Sequence, residues 1–243
     1  MFVITADQVG SRTGDDLGRA LVERLDARFA GALLLPADQT AGDEVQFALA
    51  DPGAALDAVL ELARTGRWST GLGVGGIRTP LPDATRKATG GAFIAAREAV
   101  GEAKRADGRF ALRAEPGPAS GAAAAEPDAD GAAPDTDTGI AAADAEALVR
   151  VLLVLRERRT AQGWEVVDLM ETGISQKDAA AALGITPSAV SMRLATAAWR
   201  TDRAAREALV RILDALDRAA GGASASPGGD PETTTGAKAG ATP

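Results

Sequence analysis

The 243-residue chain contains no cysteine and no histidine. The first absence excludes disulfides and thiolate metal sites. The second excludes histidine-based general acid or base catalysis and most transition-metal sites. Long apolar runs are missing too: no stretch stays apolar for eighteen residues, and the N-terminus has no basic-then-apolar leader. A soluble cytoplasmic protein without a membrane partner is the expectation. Lysine is scarce beside arginine and alanine is abundant, which marks a GC-rich genome rather than an activity.

A net charge of −8 argues against nucleic acid until it is divided along the chain. Residues 1–113 carry 14 basic and 15 acidic side chains, net −1. Residues 114–143 carry six acidic and no basic ones, and residues 144–218 carry 11 of each. The acidity therefore sits in the middle segment. Within Arg193–Arg211 five arginines stand against Asp202 and Glu207, a modest patch that suits phosphates. A solvated helix face is the bland reading of the same arginines.

The stretch Met170–Trp199 reads M-E-T-G-I-S-Q-K-D-A-A-A-A-L-G-I-T-P-S-A-V-S-M-R-L-A-T-A-A-W. Ser175 suits a helix N-cap, with Asp178 three residues on as a variant capping box. Gly184 follows Leu183 where a turn needs positive φ. Ile185 is the apolar residue that plugs the turn. Thr186 then caps a second helix and Pro187 takes its first position. Val190, Leu194 and Ala197 share one face. Ser188, Ala189, Ser191, Met192 and Arg193 turn away from it, short side chains followed by a long basic one. A helix that enters a major groove has that profile. The stretch resembles the helix-turn-helix of sigma-factor region four and of MarR-like proteins. Ser175, Gln176, Thr186, Ser188, Ala189, Ser191, Met192, Arg193 and Arg200 are the expected DNA-binding residues. An ordinary helical hairpin is the competing reading.

The remaining pattern predicts an α+β protein. Phe2–Ala6 reads as a buried strand ending at Asp7, and Asp15–Phe29 as a helix with Leu17, Leu21 and Leu25 inward. Leu33–Leu35 and Val45–Leu49 read as strands flanking the turn-rich Asp38–Glu44. Asp51 and Pro52 open a helix to about Arg64. Trp68–Gly75 reads as a glycine-rich strand where backbones approach closely. Gly90–Arg105 is a predicted helix and Phe110–Arg113 a last strand. This order predicts a ferredoxin-like α/β sandwich over residues 1–113. Residues 114–143 read as a flexible acidic linker. Residues 144–218 read as an all-α helix-turn-helix domain, in which Leu148, Leu152 and Leu155 face a core. Residues 219–243 read as a disordered tail.

Asp7 at the end of the first strand and Asp43 in the hairpin fall on neighbouring strands of such a sheet. Two adjacent carboxylates without a nearby base repel, and a divalent cation, Mg²⁺, is the usual remedy. The turn at Gly10 and Ser11 before a helix is a place for a phosphate. Common hairpin turn chemistry and helix capping explain the same residues without a ligand.

Four blocks, I-T-A-D-Q-V-G-S-R, A-G-D-E-V-Q-F, G-L-G-V-G-G-I and T-G-G-A-F-I-A-A-R-E-A, cover most of residues 1–105. They resemble the SatD family of bacterial proteins, which is similar in layout to class III nucleotide cyclases and GGDEF domains. The resemblance implies that Asp7 and Asp43 are metal aspartates and that Arg97 is the arginine of the late helix, set against phosphate. Two departures stand out: A-G replaces a double glycine ahead of D-E, and T-G-G-A replaces D-G-P-A. The combined expectation is a homodimeric transcriptional regulator that binds double-stranded DNA. Its first half senses a nucleotide ligand or only dimerises. The alternative is a Mg²⁺-dependent nucleotide-binding enzyme with an accessory helical module.

Overall fold

The computed structural model describes residues 1–11, 17–116 and 141–221. Among the described residues five strands and eight α-helices follow one another as β1 (Phe2–Gln8), α1 (Gly18–Phe29), β2 (Leu33–Ala41), β3 (Glu44–Leu49), α2 (Pro52–Thr65), β4 (Trp68–Val74), α3 (Gly91–Ala103), β5 (Phe110–Ala114), α4 (Ala142–Glu157), α5 (Ala161–Glu171), α6 (Gln176–Leu183), α7 (Pro187–Thr196) and α8 (Trp199–Ala219). The protein is α+β, and among the described residues no helix is long and apolar enough to cross a membrane.

The sheet has the order β2-β3-β1-β4-β5. β1 runs antiparallel to both neighbours and pairs Ile4 with Phe47 and Leu72. β4 and β5 are parallel, joined through α3. Strand alternation sends Phe2, Ile4 and Ala6 to one face and Val3, Thr5 and Asp7 to the other. The first face carries the main core, where Phe47, Leu72 and Phe110 pack with Leu21 and Leu25 of α1 and with most of α2. The second face is covered by α3 through Phe93 and Ala96.

Two glycines of β4 set how closely α3 lies. A Cβ on Gly71 would stand 2.3 Å from the Val100 nitrogen, and one on Gly73 would stand 2.1 Å from the Ala92 oxygen. Only glycine fits those positions, as the glycine-rich pattern of the strand suggested. α2 has caps readable from its ends. Asp51 accepts from the Ala54 N–H at 2.6 Å, and Gly66 closes the helix at φ 63°. The hairpin is tighter than expected. Asp38–Ala41 continues β2, and the turn is only Gly42–Asp43, with Gly42 at φ 57°.

The helices that follow residue 140 do not form a unit of their own. Val149, Leu152 and Leu153 of α4 and Leu209, Leu213 and Leu216 of α8 lie in the same core as the sheet. α4 also covers the free edge of β5. Glu146 Oε2 accepts from the Leu112 N–H at 2.6 Å, and Arg150 Nε donates to the Phe110 carbonyl at 3.0 Å. An uncovered edge would leave those groups unpaired or open to another chain. α8 is tied to α2 by an Arg206–Asp57 ion pair.

These contacts correct the expected division at 113 and 144. Only α5, α6 and α7, with the ends of their neighbours, share a separate small cluster, built on Val166, Val167, Ala180, Val190 and Leu194. Ala114 belongs to β5, and Ala142 and Ala143 belong to α4. Ala219 ends α8, against the expected start of the tail; residues 117–140 and 222–243 of the expected linker and tail lie outside the described residues. Of the three residues expected inward on α4, Leu152 is buried and Leu155 packs against the core, and only Leu148 is corrected. Ala145, Val149, Leu152 and Leu153 are buried, while Leu148 is 46% exposed. The helix is rolled so that Glu146 and Arg150 reach β5.

Candidate nucleic-acid interface and the carboxylates of the sheet

The turn between α6 and α7 is built from local hydrogen bonds. Ser175 Oγ accepts from the Asp178 N–H at 3.2 Å and donates to the Asp178 carboxylate at 2.6 Å. Gly184 sits at φ 65° with its N–H on the Ala180 and Ala181 carbonyls. The Ile185 N–H returns to Ala180 O at 3.0 Å, which closes a Schellman turn. Thr186 Oγ1 accepts from the Ala189 N–H at 3.1 Å, and Pro187 opens α7. Val190 and Leu194 are buried against α5 and α6, with Ile185 packed on the same cluster.

The opposite side of α7 is open. Ser188, Ser191 and Met192 are exposed, Met192 to 66%, and Ala189 and Arg193 are half-buried. The expected residues divide along the two flanks of this helix. Gln176, Ser191 and Arg200 line one cavity, with Trp199 at its wall. Ala189, Met192 and Arg193 line the other, together with Arg158 and Arg159. Ser175 and Thr186 are exposed at the helix starts, where their side chains cap the backbone. Arg193 lies 3.4 Å from Glu165, a contact partly open to water and therefore weak.

The basic patch is thinner than its sequence suggests. Arg206 turns away from it to Asp57 and Glu171. Asp202 is 1% exposed and does not act as a surface charge. It meets Arg156 Nη1 and Arg159 Nη2, each at 3.4 Å. Arg156, Arg159 and Arg64 also stand over the Trp164 ring at 5.2, 4.8 and 3.9 Å. Burial pulls the Arg156 guanidinium down to about 10, against the opposing charge of Asp202. Arg159 Nε donates to the Ala197 carbonyl at 2.8 Å. That bond steadies the turn into α8, where Ala198 takes a left-handed φ of 52°. A non-glycine residue in that region costs of order 1 kcal/mol or more. This cluster joins α4, α5 and α8, and sequence reasoning missed it. The available signal was the run of arginines at the end of α4 and just beyond it, Arg156, Arg158 and Arg159, ahead of a tryptophan-bearing helix.

The carboxylates of the sheet are already engaged. Asp7 lies opposite Glu44 in register and accepts from Lys104 Nζ at 2.8 Å. Asp43 accepts from Ser11 Oγ, and its carbonyl accepts from the Gln8 N–H at 3.0 Å. Glu44 accepts from Thr40 Oγ1 at 2.7 Å. The expected lack of a fixed cation is therefore corrected, because α3 crosses the second face and its C-terminal end delivers Lys104 to Asp7. Among the described residues no group of three or more acidic side chains could hold a metal ion. A Mg²⁺ ion at Asp7 would compete with Lys104 for the carboxylate.

The expected phosphate site is dispersed. Gly10 stands at φ 73°, but the turn does not open α1, which begins at Gly18. The Val9 N–H donates to the Arg67 carbonyl at 2.9 Å, and the Leu17 N–H to Gln8 Oε1 at 2.9 Å. Arg97 is exposed on α3 beside Arg78, Gly91 and Glu115. It lies seven residues, about 10 Å along the helix, from Lys104, and is not brought to Ser11.

In comparisons with known proteins, no family model matches the chain. No curated protein matches it either, and neither does any solved structure.

Proposed function

We propose that this protein is a DNA-binding transcriptional regulator in which α6 and α7 form the helix-turn-helix and α7 enters the major groove. One observation carries the reading. α7 buries Val190 and Leu194 and leaves outward a run of small side chains, Ser188, Ala189 and Ser191, ending at Met192 and Arg193. Small residues let the backbone approach base edges, and the basic end meets phosphate or a guanine edge. Arg200 is exposed beside α7 and Lys177 is exposed near the start of α6, and neither makes an ion pair within the described residues. They supply the non-specific part of the binding.

Strands β1 to β4 with α1 and α2 make a ferredoxin-like unit of the cyclase-like kind, extended by α3 and β5. In this reading that unit, with α4 packed on its β5 edge, is a scaffold for dimerisation, with a nucleotide as the ligand class its layout suggests. The enzyme alternative asks for two carboxylates ready to receive Mg²⁺, and Asp7 and Asp43 are both engaged. The test is sequencing of DNA crosslinked to and co-purified with the full chain, followed by gel shifts on the enriched fragments. Arg193→Ala is expected to weaken specific binding by about 1–3 kcal/mol. If Arg193→Ala and Ser188→Glu both bind like the parent, α7 is not the reading helix.

A further inference from the structure

Helix α4 carries an apolar stripe that the described chain leaves uncovered. Leu148 is 46% exposed, Val151 67% and Val154 39%. Their three-residue spacing places them along one side of the helix, opposite the buried Val149 and Leu153. Asp144 and Arg158 extend the same stripe at its two ends, and both are exposed. Asp144 stands seven residues before Val151 and Arg158 seven after, a heptad spacing. Arg158 has no partner among the described residues.

The pattern is its own complement about a two-fold axis through Val151. An antiparallel copy sets Arg158 beside Asp144, Val154 beside Leu148, and Val151 beside Val151. The two long segments outside the described residues are poor in large aliphatic side chains. Residues 117–140 contain one large aliphatic side chain, Ile140, and residues 222–243 contain none.

We propose that a second copy of this chain covers the stripe, with the two α4 helices antiparallel in an isologous dimer. A single helix pair sits at the small end of specific interfaces, below about 1,200 Å², so the dimer is dissociable and concentration-dependent. The arrangement also deepens the DNA-binding reading, and in that respect rests on it. Arg158 and Arg159 at the end of α4 share a cavity with Met192 and Arg193 of α7. α4 has 16 residues and is therefore about 24 Å long. Antiparallel pairing puts the two α7 helices at opposite ends of that rod. Half-sites one turn apart need readers separated by about 34 Å.

The chain has no cysteine, so Val151→Cys introduces its sole thiol. Under mild oxidation, without DNA, this variant is expected to give a disulfide dimer at low protein concentration. Leu148→Cys is not, because its copy lies about 9 Å away along the helices, beyond the roughly 7 Å that a disulfide spans. Leu148→Cys combined with Val154→Cys restores the link. Ile94→Cys, exposed on α3, is the collisional control. The proposal is overturned if Val151→Cys crosslinks no faster than Ile94→Cys. That is the result if an unrelated partner or an undescribed segment of the chain covers the stripe. It is also overturned if Leu148→Cys crosslinks as readily as Val151→Cys, which would mean parallel helices.

Sedimentation equilibrium on the cysteine-free parent supplies a second reading. Its average mass is expected to rise with concentration, while Val151→Asp stays at 24.5 kDa with an unchanged circular dichroism spectrum. A parent that is monomeric throughout overturns the proposal. Neither measurement involves DNA, so a failure here is separable from a failure of the DNA-binding reading.

Discussion

Replacing Asp202 with alanine tests the cluster that attaches the α5–α7 helices to the core. Asp202 is 1% exposed and is the carboxylate between Arg156 and Arg159, 3.4 Å from each. Removing it leaves two guanidiniums facing one another, one of them 1% exposed at its side chain. Breaking a buried pair by deleting one partner costs about 3–5 kcal/mol, because the surviving charge has neither water nor counter-ion. For a chain of this size that corresponds to a fall in melting temperature of roughly 6–20 °C.

The reverse replacement follows from the same geometry. The hydrogen bonding is incomplete: Asp202 Oδ2 and both terminal nitrogens of Arg159 lack hydrogen-bond partners. The cluster therefore gains less from its ion pairs than full hydrogen bonding would provide. Asp202→Leu combined with Arg156→Met and Arg159→Met is expected to recover most of the loss, leaving the protein within about 1–2 kcal/mol of the parent. The unpaired Ala197 carbonyl, which Arg159 Nε now satisfies, keeps the recovery incomplete. Urea denaturation followed by tryptophan fluorescence reads all these variants, since Trp164 lies under the two arginines. If Asp202→Ala unfolds within about 0.5 kcal/mol of the parent, as a surface substitution does, the cluster holds nothing and the reasoning fails.

Gly73→Ala would drive a Cβ into the backbone of α3, and a loss of several kcal/mol is expected, beyond the roughly 1–3 kcal/mol typical of overpacking. Gly31→Ala meets no atom within 4 Å and serves as the neutral control in the same thermal melts. Asp7→Asn is expected to lower stability by about 1 kcal/mol or less, because Lys104 loses a partly exposed partner. A rise in melting temperature on that substitution would show instead that Asp7 was strained by like charge. Protease cleavage within residues 117–140 is expected to leave the two pieces associated through α4, α8 and the sheet. Size-exclusion chromatography of the cut protein checks this, and separate elution of two folded fragments would contradict the shared core.

The features legible in the sequence were those whose partners lie within a few residues. Ser175, Thr186, Gly184 and Asp51 act on backbone groups three or four positions away, so cap chemistry read from the chain matches the bonds formed. The same holds for the buried strand at Phe2–Ala6 and for the paired glycines of β4, where the absence of a side chain is itself the message. What only the tertiary structure decided involves partners far apart along the chain. Lys104 reaches Asp7 across 97 positions, and Arg156 reaches Asp202 across 46. No local periodicity tells which of many arginines is buried or which carboxylate meets it. The roll of α4 was undecidable for a related reason. Its sequence is apolar on more than one side, and burial was assigned by the free edge of β5, whose Leu112 N–H and Phe110 carbonyl required Glu146 and Arg150. An unpaired backbone group in the interior costs more than an exposed valine on the surface. The helix therefore turned its polar pair toward the strand and left Val151 outside.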